Sequence, residues 1–189
     1  MAMQSRGPGS AEISIPLMQT GLVPPINNRS KITTDPAMYT HILVPVDGSA
    51  TSKKGLDEAI ALAQVTGASL RLVHVVEDPV FATGLGGFDP MGLEMIPLLR
   101  EAGEKLLGES KTRVTERKVA VQTVLLERLG SRIGDAVVQE ARECRADLIV
   151  LGTHGRRGIR RLTLGSDAEQ IARLASVPVL LVRSPDEVI

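Results

Sequence analysis

The strongest constraint on this chain is a change of hydrophobic period that repeats from Tyr39 almost to its end. Short apolar runs alternate with segments whose apolar residues recur at helical spacing. Residues 41–46 (HILVPV) read as a strand. Residues 52–67 read as a helix, with Leu56, Ala59, Ile60 and Ala63 on one face and Gly67 as its stop. Residues 69–76 (SLRLVHVV) read as a second strand. A Gly- and Pro-rich stretch over 77–93 reads as a long loop. A helix over 94–117 follows, with Pro97 in its first turn and Gly103 weakening it. Residues 119–126 alternate like an edge strand, and 132–144 form an amphipathic helix through Ile133, Ala136, Val137 and Ala141. Residues 147–151 (DLIVL) are nearly all apolar, as in a strand buried on both faces. Residues 152–164 read as a loop, 166–175 as a helix with Ala168, Ile171, Ala172 and Ala175 along one face, and 177–183 (VPVLLVR) as the last strand.

Strands alternating with helices in this way predict an α/β domain. It is an open five-stranded parallel sheet, Rossmann-like, with helices on both faces and right-handed crossovers. In such a sheet a ligand binds beyond the carboxyl ends of the strands, where the strand order reverses. The segments to search are those that follow the first, second and fourth strands, at Asp47, Val76 and Gly152. The last strand, which opens at Val177 and closes at Arg183, is apolar and falls at a sheet edge. A bare apolar edge invites association. Pairing with the same strand of a second subunit covers it in a two-fold interface, so a homodimer is expected, with higher oligomers left open.

Composition narrows the function. Lys plus Arg and Asp plus Glu are 22 each in the 189 residues, so no net charge draws the chain to nucleic acid or an anionic membrane. Tyr39, Phe81 and Phe88 are the aromatic residues, too few for a base-stacking platform. No apolar run approaches the roughly 18 residues of a membrane span. Neither nucleic acid nor membrane is therefore expected as a partner. Cys144 is the single cysteine, which excludes an internal disulfide and a thiolate zinc cluster and fits a reducing compartment, the cytoplasm. Residues 1–38 depart from the rest: Pro8, Pro16, Pro24, Pro25 and Pro36 interrupt every period there. They read as a flexible leader and not as a signal peptide, with Met38 a candidate natural start.

Candidate chemistry concentrates after the fourth strand, in Gly152-Thr-His-Gly155-Arg-Arg-Gly-Ile-Arg-Arg-Leu-Thr-Leu-Gly165-Ser166. Glycines let the backbone approach a ligand and turn its N–H groups inward. Gly165-Ser166 opens a helix, whose unpaired N–H groups and positive dipole end suit a phosphate. Ser166 with Glu169 also fits a capping box, and a capped helix start still binds anions. Spacing alone leaves a phosphate site and a plain capped turn equally open.

At this point the pattern resembles the universal stress protein family. The spacing Gly152-x2-Gly155-x9-Gly165-Ser166 is similar to the family's nucleotide-binding signature. Ile42-Leu43-Val44-Pro45-Val46-Asp47-Gly48-Ser49 is similar to its first strand and turn, Val73-His74-Val75-Val76 to its second strand, and Pro178-Val179-Leu180-Leu181-Val182 to its last. The resemblance implies one family-like domain over 39–185, a tail over 186–189, and the sheet order 3-2-1-4-5. It implies a dimer that takes ATP or another adenine nucleotide together with Mg2+ or Mn2+. By position, Pro45, Val46 and Asp47 end the first strand, with Asp47 on the ribose or on a phosphate-bound metal. Val75 meets the adenine through its backbone, and Leu151 and Gly152 flank the nucleoside. Gly155, Gly165 and Ser166 hold phosphates largely through N–H groups. From their place beside these residues His154 is read as orienting the loop, and Arg156 and Asp167 are counted in the site, although family members often have a neutral residue at the position of Asp167. The implied role is a stress-response or signalling module whose nucleotide state sets its affinity for an unspecified protein partner. At most slow ATP hydrolysis or autophosphorylation accompanies it, because no residue stands out as a committed catalytic base.

Other readings bear on the same residues. Asp167 complements the helix dipole, yet it repels a triphosphate unless it points away or shares a metal. It is the feature that favours the alternative, a nucleotide-independent dimeric interaction module. Arg156, Arg157, Arg160 and Arg161 either balance phosphate charge or form a solvated basic loop. An adenylate-forming or pyrophosphatase-type enzyme would need a Ser-Gly-Gly-x-Asp-Ser loop or an H-I-G-H motif. Here stand Asp47-Gly48-Ser49-Ala50 and His41-Ile42-Leu43-Val44. His41, His74 and His154 fall on different parts of the sheet, so no histidine metal site is expected.

Overall fold

The apolar runs become β1 (His41–Pro45), β2 (Ser69–Glu77), β3 (Val121–Arg128), β4 (Leu148–Gly152) and β5 (Val179–Val182). The helical-period segments become α1 (Ala50–Thr66), α2 (Pro90–Glu116), α3 (Ile133–Glu143) and α4 (Ser166–Leu174). This computed structural model describes residues 38–77, 90–128, 132–153 and 164–183. The expected leader, apart from Met38, and the tail lie outside the described residues. The strands form one five-stranded sheet in the order β3-β2-β1-β4-β5, and every neighbouring pair runs parallel. The fold is the one the alternation anticipates, and the order is the one the resemblance implies. β3 and β5 are the edges, as their patterning predicts.

Alternation along the central strands divides the core between the two faces. Ile42 and Val44 of β1, Leu70 and Leu72 of β2, and Leu148 and Val150 of β4 pack with Leu56, Ala59, Ile60 and Ala63 of α1 and Leu107 and Val114 of α2. Leu43, Val73, Ile149 and Leu151 point the other way, against Val137, Val138 and Ala141 of α3 and Ala168 and Ile171 of α4. With no Trp and little other aromatic bulk, both halves are built from branched aliphatics. One charged pair enters the second half. Arg71 Nε meets Glu140 Oε1 at 2.5 Å, and Arg71 Nη1 donates to Gln122 Oε1 at 2.8 Å.

β3 lies two residues later than expected and β5 is shorter, and two helices start early. α2 begins at Pro90, four residues before the predicted start at 94, so Pro97 sits inside the helix and not in its first turn. Proline at a first helical position gives up an N–H that would be unpaired anyway, so Pro90 is a natural opening. α1 begins at Ala50, with Ser49 as its N-cap accepting the Ser52 N–H, and Gly67 ends it at φ 77. No described helix is long and apolar enough to cross a membrane.

Candidate functional site

The strand order reverses at β1, which has β2 on one side and β4 on the other. β1 pairs with β2 from His41↔Ser69 to Pro45↔Val73, but with β4 only at Ile42↔Leu148 and Leu43↔Ile149. The carboxyl ends of β1 and β4 thus run beyond their shared pairing, and the switch point lies there.

At that point the chain turns into α1. The Val46 N–H makes the last rung to β2, donating to Val73 O at 2.8 Å. Gly48 follows at φ 83, a left-handed conformation that glycine adopts without strain. Asp47 Oδ1 accepts the Ser49 N–H at 2.9 Å, and the Asp47 N–H donates to Ser52 Oγ at 3.1 Å. Ser49 Oγ accepts the Ser52 N–H at 3.1 Å and lies 3.2 Å from Thr51 Oγ1. These interlocked bonds fix the Asp47 carboxylate at the end of β1.

β4 ends tightly against the same turn. A Cβ on Gly152 would stand 2.7 Å from the Thr51 carbonyl carbon and 2.8 Å from its oxygen and Cβ. A Cβ on Gly55 would stand 3.2 Å from the Gly152 nitrogen. Gly152 therefore has a packing reason of its own, beside the nucleoside contact that the resemblance implies: α1 rides directly over the end of β4. Thr51 and Thr153 are buried here, at 4% and 3% exposure. Sequence reasoning singled out neither. Their signal is a small β-branched residue next to a glycine or a turn, which is too common to be read without the register.

Thr153 links β4, β5 and α4. Its N–H donates to Val182 O at 2.9 Å, and its carbonyl accepts the Gly165 N–H at 2.9 Å. The ends of the stretch 154–163 are thereby tied together, and the start of α4 stands beside the end of β4. Gly165 is the N-cap, and the first helical bond runs from the Glu169 N–H to Gly165 O at 2.8 Å. The amides of Ser166, Asp167 and Ala168 precede that bond, so the helix gives them no i−4 partner. The capping box expected of Ser166 and Glu169 does not form. Gly165 takes the N-cap one residue earlier, no side chain caps the helix, and Glu169 pairs with Arg173 at 2.6 Å. Ser166 and Asp167 are exposed.

β2 outruns β1. It continues to Glu77, paired on its far edge with β3 at Val75↔Leu126 and Glu77↔Arg128. Strand parity gives Val75 the same orientation as Val73, whose carbonyl faces β1. The Val75 N–H and C=O therefore face the switch point beyond the last rung. The structure thus brings Pro45, Val46, Asp47, Val75, Leu151, Gly152, Gly165, Ser166 and Asp167 to one edge of the sheet. His154, Gly155 and Arg156 lie outside the described residues, as do Arg157, Arg160, Arg161, Phe81 and Phe88.

The remaining reactive groups stand elsewhere. His41 opens β1 at the opposite edge, with Nδ1 2.9 Å from Thr40 Oγ1. His74 is buried in β2, with Nδ1 2.7 Å from the Val46 carbonyl oxygen. Among the described residues no three His, Cys, Asp or Glu side chains group to hold a metal. Burial pushes the Cys144 thiol above its ordinary pKa, which disfavours thiolate chemistry. Asp147 stands beside Thr40 and His41 at the amino edge. Partial burial acts to raise its pKa, but hydrogen bonds from the Thr40 hydroxyl and amide, both 2.7 Å, and the His41 amide at 3.1 Å hold it below the usual value.

The model of the Universal stress protein family matches residues 38–183. A universal stress protein of Methanocaldococcus jannaschii is 34% identical over 148 residues, which cover 78% of this chain and 84% of that one. Among solved structures, a protein from the universal stress protein family of Burkholderia pseudomallei is 32% identical with a TM-score of 0.60, over 79% of this chain and 100% of that one. A universal stress protein crystallised in complex with cAMP is 25% identical with a TM-score of 0.54, over 77% of this chain and 97% of that one.

Proposed function

The chain belongs to the universal stress protein family, and from that premise we propose that it binds an adenine nucleotide, ATP first, at the carboxyl edge of β1, β2 and β4. The observation that carries this reading is the Gly165–Thr153 hydrogen bond, which brings the start of α4 beside the switch point. There the positive end of the helix dipole and the leading amides at Ser166 suit phosphates, while Asp47 suits the ribose. The Val75 backbone offers a donor and an acceptor side by side, matching the adjacent acceptor and amino group of adenine. Leu151 and Gly152 flank the nucleoside, and the resemblance assigns His154, Gly155 and Arg156 to the phosphate side of the site. The relative bound to cAMP supports an adenine ligand for this fold.

Mg2+ or Mn2+ would arrive with the nucleotide. The donor set fits a cation held chiefly by phosphate oxygens, since Asp47 is a hard carboxylate ligand and no larger cluster of ligating side chains stands among the described residues. When bound, the metal would neutralise phosphate charge, and Asp47 would hold it where it does not take the ribose. In this reading the nucleotide state sets affinity for a protein partner in the stress response, in the cytoplasm, with at most slow hydrolysis. The unit is a homodimer through β5, a sheet edge whose Leu180 is exposed.

Calorimetric titration of the full chain with ATP, with and without Mg2+, tests the reading. Micromolar affinity is expected. The partner experiment is Gly165→Val. Gly165 has φ −61 and ψ 146, which valine adopts readily, so the fold should persist. A branched side chain then stands where phosphate approaches the backbone, and affinity should fall at least about tenfold. Unchanged affinity refutes the phosphate site. No ATP binding in either condition leaves the chain a nucleotide-independent dimeric module.

A further inference from the structure

The β1–β2 ladder stops one rung earlier than the strands require. In a parallel ladder every second residue bonds to the two neighbours of its partner. The Val46 N–H donates to Val73 O at 2.8 Å, so the next rung would run from the Val75 N–H to Val46 O. Among the described residues that backbone bond is absent, and the register ends at Pro45↔Val73. The Val46 carbonyl has a different partner: His74 Nδ1, 2.7 Å away. A carbonyl only accepts, so Nδ1 carries the proton in this contact.

The His74 ring is held where it is. It is buried on the face that α1 and α2 cover, and it presses on α2 at Gly103. A Cβ there would stand 2.6 Å from His74 Cδ2 and 2.7 Å from Leu125 Cδ1. Gly103 weakens the helix by propensity and in exchange makes room for the imidazole. The ring packs against Gly103, and its bond draws the Val46 carbonyl toward that face as the chain leaves the sheet for α1.

We propose that His74 is a positioning residue for base recognition: by holding the Val46 carbonyl out of the ladder, it keeps the Val75 N–H open to an adenine ring. The consequence for ligand binding rests on the nucleotide reading above; the geometry does not. With the rung withheld, Val75 presents N–H and C=O together at the switch point. Adenine offers an acceptor ring nitrogen beside a donor amino group. Guanine, held in the same orientation by its ribose, offers an acceptor oxygen beside a donor N–H, in the reverse order. His74 thus prepares the edge that distinguishes the two bases without touching either. A side chain that cannot donate would free the Val46 carbonyl to take the Val75 amide and close the edge.

The test compares wild type with His74→Leu, which lacks the donor, and His74→Asn, whose side-chain amide reaches the same carbonyl. Both variants lose the ring, so a purely structural role would affect them alike. Amide exchange is followed by NMR on the nucleotide-free full chain. In wild type and His74→Asn the Val75 amide should exchange at least about 100-fold faster than that of Val73; in His74→Leu it should slow toward Val73. By calorimetry, ATP affinity should fall at least about tenfold in His74→Leu and recover in His74→Asn, while tripolyphosphate affinity stays constant in all three. A protected Val75 amide in nucleotide-free wild type, or equal losses for ATP and tripolyphosphate, overturns the role of His74 alone. No ATP binding to wild type overturns the site reading itself. If His74→Leu does not fold, wild type decides: ATP slows Val75 exchange and tripolyphosphate does not, or the proposal falls.

Discussion

Gly152→Ala probes the packing on which the shape of the site depends. The new Cβ would stand 2.7–2.8 Å from three atoms of Thr51. Ordinary carbon contacts lie near 3.5–4.0 Å, so one side must yield by roughly 0.7 Å or more. Neither yields easily. Thr51 is buried in the first turn of α1, between Ser49 and Ser52, whose mutual hydrogen bond at 3.1 Å pins the turn. Gly152 is paired with Val182 in β5, and the next amide donates to Val182 O at 2.9 Å. Overpacking of this kind costs about 1–3 kcal/mol. In a domain of this size each kcal/mol lowers Tm by roughly 2–4 °C. Urea unfolding should show a lower midpoint with an unchanged m value. The control is Gly108→Ala in α2, where a Cβ meets nothing within 4 Å. It should gain about 0.5–1 kcal/mol from helix propensity alone. A Gly152→Ala protein as stable as its parent refutes the claim that α1 rides on the end of β4. If that protein keeps its stability but loses ATP affinity, the glycine serves ligand approach and not packing.

Two further predictions concern charges away from the site. Asp147 has a lowered pKa in the folded chain, so its contribution is fully present above its unfolded value near 4 and is lost as pH falls through the lowered one. Asp147→Asn should lower stability at pH 7 by about 1 kcal/mol or less, because the carboxylate is partly solvated, and the deficit should vanish in acid; a deficit unchanged at low pH would refute the assignment. The Arg71–Glu140 pair is unequally buried, with side-chain exposures of 32% and 3%. Arg71→Ala strands a buried carboxylate and should cost about 3–5 kcal/mol, whereas Glu140→Ala leaves an arginine that still reaches water and should cost about 1–3 kcal/mol. Equal losses in urea unfolding would refute that ordering.

The sequence revealed the fold well because hydrophobic period is a local property. Every strand and helix could be read from residues within a turn or two of one another. The sheet order was different: alternation says that strands are parallel, not on which side of β1 the fourth one lies, and the order came with the family likeness. Boundaries failed where the deciding chemistry was a choice between nearby turn residues. Gly165 displaced Ser166 as the N-cap, and Pro90 opened α2 before 94. In the site, Asp47, Gly165 and Ser166 were legible because turns and helix starts have side-chain signatures. Thr51, Thr153 and the fit of Gly152 were not, because they arise where a helix from one part of the chain meets a strand about a hundred residues later. His74 was visible only as a histidine in a strand. Its partner is a backbone carbonyl, which has no signature in the sequence at all.

The two edges of the sheet are organised oppositely, and this accounts for where a ligand can bind. At the amino edge nearly every group is engaged. Asp147 takes bonds from Thr40 and His41, the Asp147 N–H donates to His41 O at 2.9 Å, and the Ser69 N–H donates to Thr40 O at 2.9 Å. At the carboxyl edge the β1–β4 pairing ends early, β2 outruns β1, and α4 begins without a side-chain cap. Backbone groups that leave the sheet ladder, such as the Val75 N–H, are costly unless water or a ligand reaches them, so they stand where the surroundings hold them in place. Here the Asp47–Ser49–Ser52 turn and the Val182–Thr153–Gly165 links do the holding. Both sets of bonds tie the edge to the strands and helices beside it. A ligand binding there meets donors and acceptors already oriented and need not order them, which lowers the cost of binding a small polar molecule. Removing either set should therefore weaken binding before it unfolds the domain.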